Sequence, residues 1–182
     1  MTKSVTEREL VLALLMDITK NHVPCHIALR NVLGKYQYMD KKERSFITRV
    51  TEGTLEHMLE IDYIINQFSK TKVNKMKPVI RNLIRSAVYQ LKYMVSVPNS
   101  AVCNEAVKLA KKKGFATLGG FVNGVLRNIA RNLDDIRYPD ESNPKEYLEI
   151  KYSMPPCILD QWLPVYGRET TEKMLLSFHQ ET

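Results

Sequence analysis

No stretch of this chain approaches the 18 or more consecutive apolar residues that a membrane helix needs. Glycine is scarce, at 7 residues, and apolar–polar alternation is rare, so an all-β fold is not expected. Three cysteines, Cys25, Cys103 and Cys157, lie far apart with no CxxC pair. That argues against a disulfide framework and fits a reducing cytoplasm. The N-terminus runs Met1-Thr2-Lys3-Ser4-Val5-Thr6-Glu7 into a polar-interrupted helical pattern, unlike a signal peptide. The 182 residues are 44% hydrophobic and 26% charged, enough to bury one core and stay in solution. This suits one domain, or one domain with a short extension.

Negative charge is almost missing from one region. Residues 63–133 hold 13 basic side chains and a single acid, Glu105. Residues 1–133 carry 22 basic and 10 acidic groups, net +12, whereas 134–182 carry 5 and 10, net −5. A basic segment of that kind repels itself unless a polyanion lies near, and phosphate backbones are the natural partner.

Helical spacing dominates the rest. Ser4 and Glu7 suggest a capping box before Leu10, Val11, Leu14, Leu15 and Ile18, and Pro24 ends that helix. Leu29, Val32, Leu33 and Tyr36 mark a second helix. Asp40 with Glu43 starts a third, leading to Phe46, Ile47, Val50 and Met58. Ile61, Ile64, Ile65 and Phe68 stack at helical spacing. After a basic loop, Lys70 to Lys77, Pro78 sits where a helix tolerates proline best. Ile80, Leu83, Ile84, Ala87, Val88 and Leu91 then form an unbroken stripe. Val102, Ala106, Leu109 and Ala110 line a sixth helix, closed by Lys111-Lys112-Lys113-Gly114. Leu118, Phe121, Val122, Val125, Leu126, Ile129 and Leu133 line a seventh. Composition then turns polar and acidic, which places a boundary near 134–146. Tyr147 to Met154 reads as a short extended or helical piece; Pro155-Pro156 opens a further helix with Ile158, Leu159 and Trp162, which Gly167 closes, and Thr170 to Phe178 starts one more.

The order of short motifs resembles a known family. Glu52-Gly53-Thr54-Leu55, Arg81-Asn82-Leu83-Ile84-Arg85, Asn104-Glu105-Ala106-Val107 and Phe121-Val122-Asn123-Gly124-Val125-Leu126-Arg127 are similar to those of the NusB-like RNA-binding domain. The resemblance covers about 6–133. It implies an all-α bundle of about seven helices over 1–133. Free-standing NusB antitermination factors usually end soon after the seventh helix. The continuation, Tyr147-Leu148-Glu149-Ile150-Lys151-Tyr152-Ser153-Met154-Pro155-Pro156, looks like the connector of RsmB (Sun) type ribosomal RNA cytosine-5 methyltransferases. Residues 134–182 thus read as linker and the start of a connector to an absent methyltransferase domain. The resemblance implies that this domain would use S-adenosylmethionine, and that no cofactor belongs to the 182 residues themselves. Implied partners are ribosomal RNA, the chain's own C-terminal catalytic domain and, in the antitermination branch, a ribosomal protein. The connector is expected to pack on the missing domain, leaving Trp162, Leu163 and Phe178 exposed without it.

No catalytic set is expected. Pro156-Cys157 superficially matches the setting of a cytosine-5 nucleophile, but no cofactor-binding strand and Gly-rich turn surround it. Cys157 reads as a partly buried packing residue. His22-x-x-Cys25-His26 straddles Pro24 and lacks a second ligand pair, so it reads as no metal site. His57 and His179 show no partner in sequence. Asn104, Glu105 and Asn123 read as structural, bonding loop backbone or a helix end, and Asp62 with Arg85 as a structural pair. The binding candidates are Lys72, Lys75 and Lys77 on the loop, Arg81 and Arg85 on the helix after it, Lys111, Lys112 and Lys113 at a helix end, and Arg127 with Arg131. Spread over several faces, only some of these would meet one RNA. A protein-interaction bundle without an RNA role is the reading of a different class.

Overall fold

The computed structural model describes residues 4–180. Among the described residues nine helices follow in order: α1 Glu7–Thr19, α2 Cys25–Lys35, α3 Lys41–Glu56, α4 Met58–Phe68, α5 Pro78–Tyr93, α6 Asn99–Lys112, α7 Gly119–Arg131, α8 Pro144–Tyr152 and α9 Pro156–Gln180. Single 3-10 turns lie at Val73–Lys75, Ala116–Leu118 and Leu133–Asp135, and the described residues form no strand.

The helix starts follow local chemistry. Asp40 accepts from the Glu43 amide while Glu43 accepts from the Asp40 amide, so the α3 capping box forms as its sequence predicts. At α1 the cap is Thr6 rather than Ser4: Thr6 Oγ1 accepts from Glu9 N at 3.2 Å. This start places both Glu7 and Glu9 in the first turn, where the helix dipole favours anions. Pro78 opens α5, and Gly114 follows the end of α6 with φ of 88°, a left-handed conformation that glycine adopts without strain.

Helix α5 is the axis, with α1, α3, α4, α6 and α7 packed around it. Its apolar stripe is buried, and so are Asn82, Arg85, Ser86 and Gln90 on its other sides. A helix covered all round cannot leave polar groups unpaired. Asn82 Nδ2 donates to Thr19 Oγ1 at 3.1 Å, and Ser86 Oγ to Leu83 O at 2.9 Å. Gln90 donates to Ser86 O and accepts from Arg8 Nε.

The tail matches its sequence expectation in the exposure of Phe178 and differs at Trp162 and Leu163. Helix α8 packs on α4. Tyr147, Leu148, Tyr152, Met154, Leu159 and Leu175 form a second apolar cluster, with Trp162 and Leu163 half-buried against it. The polar seam beside it ties the tail to the bundle. Glu60 N donates to Ser153 Oγ at 3.0 Å, and the Tyr138 hydroxyl to Glu60 Oε2 at 3.3 Å. Helix α9 breaks at Gly167, whose φ of 74° is open to glycine. Val165 and Phe178 are exposed, at 72% and 63%. Cys157 is exposed rather than partly buried, because it lies in the first turn of α9 away from the cluster.

Candidate nucleic-acid interface

The ten candidate cations fall into two groups by what holds them. Four are engaged inside the fold. Arg85 donates to both Asp62 oxygens, at 2.7 and 2.8 Å, and to Asn82 at 3.2 Å. Arg81 donates to the carbonyls of Val73, Asn74 and Met76, at 2.9, 3.3 and 3.0 Å, and so closes the 3-10 turn before α5. Lys112 and Lys113 both reach Glu9, at 2.5 and 2.9 Å, stapling α6 to α1. Burial pushes the Glu9 carboxyl up, but the two ammonium groups outweigh it and leave the pKa below the usual glutamate value.

The others are more open. Lys72, Lys75 and Lys77 are exposed on the loop between α4 and α5. Lys72 Nζ donates to Asn66 O at 3.2 Å and lines a groove of about 540 Å³ with Arg81 and Arg85. Lys77 Nζ lies 5.9 Å from the centre of the Phe115 ring. Lys111 and Arg127 line a groove of about 620 Å³ between α6 and α7, beside Lys108, Gly119 and Gly120. Arg127 and Arg131 share a smaller cavity of about 250 Å³. Since Arg127 belongs to both, one strip runs from Lys111 to Arg131.

Arg127 is oriented within that strip. Its Nε donates to Asn123 Oδ1 at 2.9 Å and its Nη2 to Asn104 Oδ1 at 3.0 Å. Asn104 and Asn123 therefore position a guanidinium, where their sequence context suggests loop backbone or a helix end. Two side chains on adjacent helices fix the plane of a group that binds phosphate in a fork. Helix α7 starts at Gly119 with no side-chain cap bond, so the positive end of its dipole adds to the same groove. The one acid of the region, Glu105, pairs with Lys108 at 3.4 Å.

A groove of about 780 Å³ lies along α3 and was not legible in sequence. Lys41, Arg44 and Arg49 share it with Glu52, Glu56, His57 and His179. His57 and His179, which show no partner in sequence, stack with their ring centres 5.2 Å apart, and Tyr93 lies 4.3 Å from His57 on the same ladder. Burial, with His179 next, lowers the His57 pKa; the Glu56 carboxylate opposes this in part. No periodic signal links positions 57 and 179. His22, Cys25 and His26 do not converge as a ligand group among the described residues; Glu56, His57 and His179 do.

A central helix wrapped by five others, with cationic grooves on the outside, defines an all-helical bundle. The chain belongs to the NusB family, whose model matches residues 5–131. It is 31% identical over 176 residues to the probable ribosomal RNA small subunit methyltransferase B of Bacillus subtilis (strain 168). That match covers 94% of this chain and 38% of the relative, so the chain spans about two fifths of that protein's length. It is 33% identical over 129 residues to the transcription antitermination protein NusB of Desulforamulus reducens (strain ATCC BAA-1160 / DSM 100696 / MI-1), covering 70% of this chain and 90% of that one. A crystal structure of antitermination factors NusB and NusE in complex with dsRNA shares the fold, with a TM-score of 0.63 at 24% identity over 69% of this chain and 93% of that one. No helix of the described residues is long and apolar enough to cross a membrane.

Proposed function

We propose that this chain is the RNA-docking, N-terminal part of a small-subunit ribosomal RNA cytosine-C5 methyltransferase, working in the cytoplasm. The observation that carries this reading is the tail. Similarity to the methyltransferase relative spans 176 residues, whereas similarity to the antitermination protein spans 129. In this reading the strip from Lys111 to Arg131 and the loop lysines hold phosphates. Arg127, held in plane by its two asparagines, makes the forked contact. Target choice and S-adenosylmethionine belong to the catalytic domain that would follow. A ribosomal protein partner, by analogy with the NusB–NusE complex, is the second contact to test.

Two measurements test the reading. The codons after Thr182 are expected to continue into a methyl-donor-binding domain; a stop codon there favours the free antitermination factor. Filter binding to small-subunit rRNA fragments is expected to weaken with salt. For four phosphates on single-stranded RNA, log affinity falls against log salt with a slope of about −3. Affinity that does not change with salt would remove the phosphate-docking role.

A further inference from the structure

We propose that the groove along α3 is a second RNA contact, which holds backbone phosphates on Lys41, Ser45 and Arg49 and reads a neighbouring ribose through Glu52. The inference rests on the RNA-docking reading above and adds a separate face to it: the α3 groove and the α6–α7 groove have no lining residue in common.

Lys41, Ser45 and Arg49 are spaced four apart, so they stand in one row on α3, and Gly53 continues it. At 1.5 Å per residue, the row from Lys41 to Arg49 is about 12 Å long. All three side chains are exposed and line the groove. Neither cation pairs with a carboxylate of the described residues; Arg49 Nη2 donates to Tyr93 O at 3.3 Å, and its other N–H groups have no partner among those residues. Arg44, in the adjacent row, is held differently: it donates to Leu33 O at 2.8 Å and ties α3 to α2. The donor row ends on a hydroxyl. Because Gly53 has no side chain, the Tyr89 ring lies against α3, where a Cβ would overlap it. Tyr89 is only 7% exposed and lines the groove. Its hydroxyl has no hydrogen-bond partner among the described residues, whereas the Tyr93 hydroxyl reaches Glu60. A buried hydroxyl needs a partner, and the groove is where one can enter.

The second row selects the ligand. Thr48 and Glu52 lie one turn apart beside the donor row, and exposed Glu52 makes no hydrogen bond or ion pair among the described residues. An ionised carboxylate repels a bare phosphate chain but accepts a hydrogen bond from a hydroxyl. An RNA backbone brings both groups: phosphates for the cations and hydroxyls of the first row, and a 2′-hydroxyl that donates to the carboxylate. DNA lacks that donor, so the same surface distinguishes the two. A free nucleoside monophosphate shares the ribose phosphate, but a donor row of about 12 Å serves more than the single phosphate it offers.

The test is filter binding of the full chain to matched RNA and DNA single strands of small-subunit rRNA sequence across a salt series, with free AMP as a control. Lys41→Ala and Arg49→Gln are each expected to lower the RNA salt slope by about 0.7 and to weaken RNA binding at least about threefold, whereas Lys42→Ala, on the same helix but outside the groove, stays within about 1.5-fold. Tyr89→Phe keeps the ring over Gly53 and is expected to weaken RNA binding about threefold at an unchanged melting temperature. Glu52→Ala is expected to cut the ratio of RNA to DNA affinity at least about threefold. Circular dichroism checks folding; if Arg49→Gln unfolds, Lys41→Ala carries the test from the exposed head of α3. Unchanged RNA binding in Lys41→Ala, an equal effect of Lys42→Ala, an unchanged RNA-to-DNA ratio in Glu52→Ala, or micromolar AMP binding that Lys41→Ala abolishes overturns the proposal. RNA binding that falls with Arg127→Ala but not with the α3 variants overturns it and leaves the RNA-docking reading standing, whereas a wild-type chain that binds no RNA ends both.

Discussion

Arg85 grips Asp62 through Nε and Nη2, at 2.7 and 2.8 Å, in a fork that joins α5 to α4. Both side chains are largely shielded, with 11% and 25% of their surface accessible. Lysine keeps the charge but not the fork. Arg85→Lys and Asp62→Asn are each expected to lower unfolding free energy by about 1.5–3 kcal/mol in urea denaturation. RNA affinity of the folded Arg85→Lys protein is expected to stay within about twofold, since Arg85 already has its partner. A larger drop at unchanged stability would make Arg85 a contact residue.

Lys111 and Arg131 behave oppositely in this reading. Both are exposed, and neither forms an ion pair with a carboxylate of the described residues. Alanine at either is expected to leave stability within about 0.5 kcal/mol. Each should reduce the salt slope of RNA binding by about 0.7 for the phosphate it releases. Lys112→Ala and Lys113→Ala loosen α6 from Glu9 instead, so their first readout is the melting temperature. Salt-dependent binding measured beside melting separates the two classes.

What could be read in the sequence, and what could not, divides along the distance between partners. The Asp40–Glu43 box, Pro78 at the head of α5 and Gly114 after α6 are local, and each forms as the sequence predicts. The apolar stripe of α5 identified the core, because period alone places it. A charge count carries no geometry, however. Lys112 finds Glu9 across 103 positions and His179 reaches Glu56 across 123, and neither pairing leaves a periodic trace. The Asn104–Arg127–Asn123 set is half visible: the motifs stand in the sequence, but only the α6–α7 contact shows that two asparagines serve one guanidinium. The tail's attachment was hidden for the same reason, since Ser153 meets Glu60 across 93 positions.

Gly53 carries a packing constraint that its helix position conceals. A Cβ at this point of α3 would overlap the ring and hydroxyl of Tyr89, which lies across the helix. Gly→Ala in an exposed helix is normally stabilising, by about 1 kcal/mol. Here the clash reverses the sign, and Gly53→Ala is expected to cost about 1–3 kcal/mol. Adding Tyr89→Leu should recover part of that loss, and a double-mutant cycle in urea measures the coupling. Additive effects would mean that Tyr89 simply swings aside.

Glu9 and Glu60 should give the protein two opposite acid–base arms. Glu9 lies below the ordinary glutamate value in the fold, because Lys112 and Lys113 outweigh its burial. Its stabilisation is present above about pH 4.3 and is lost as pH falls through the depressed folded value. Glu60 is raised: burial dominates, and the Tyr93 and Tyr138 hydroxyls with Lys92 offset it only in part. Its stabilisation is full below about pH 4.3 and declines as pH rises through the elevated folded value. Glu9→Gln should therefore flatten the acid side of a stability–pH curve, lowering stability near neutrality while changing little below pH 4. Glu60→Gln should remove the decline on the rising side and leave the acid arm in place. Thermal melts of wild type and both variants between pH 3 and pH 8 distinguish these slopes. If Glu60→Gln steepened the loss toward neutral pH, the hydroxyl bonds to the carboxylate would have to outweigh its burial.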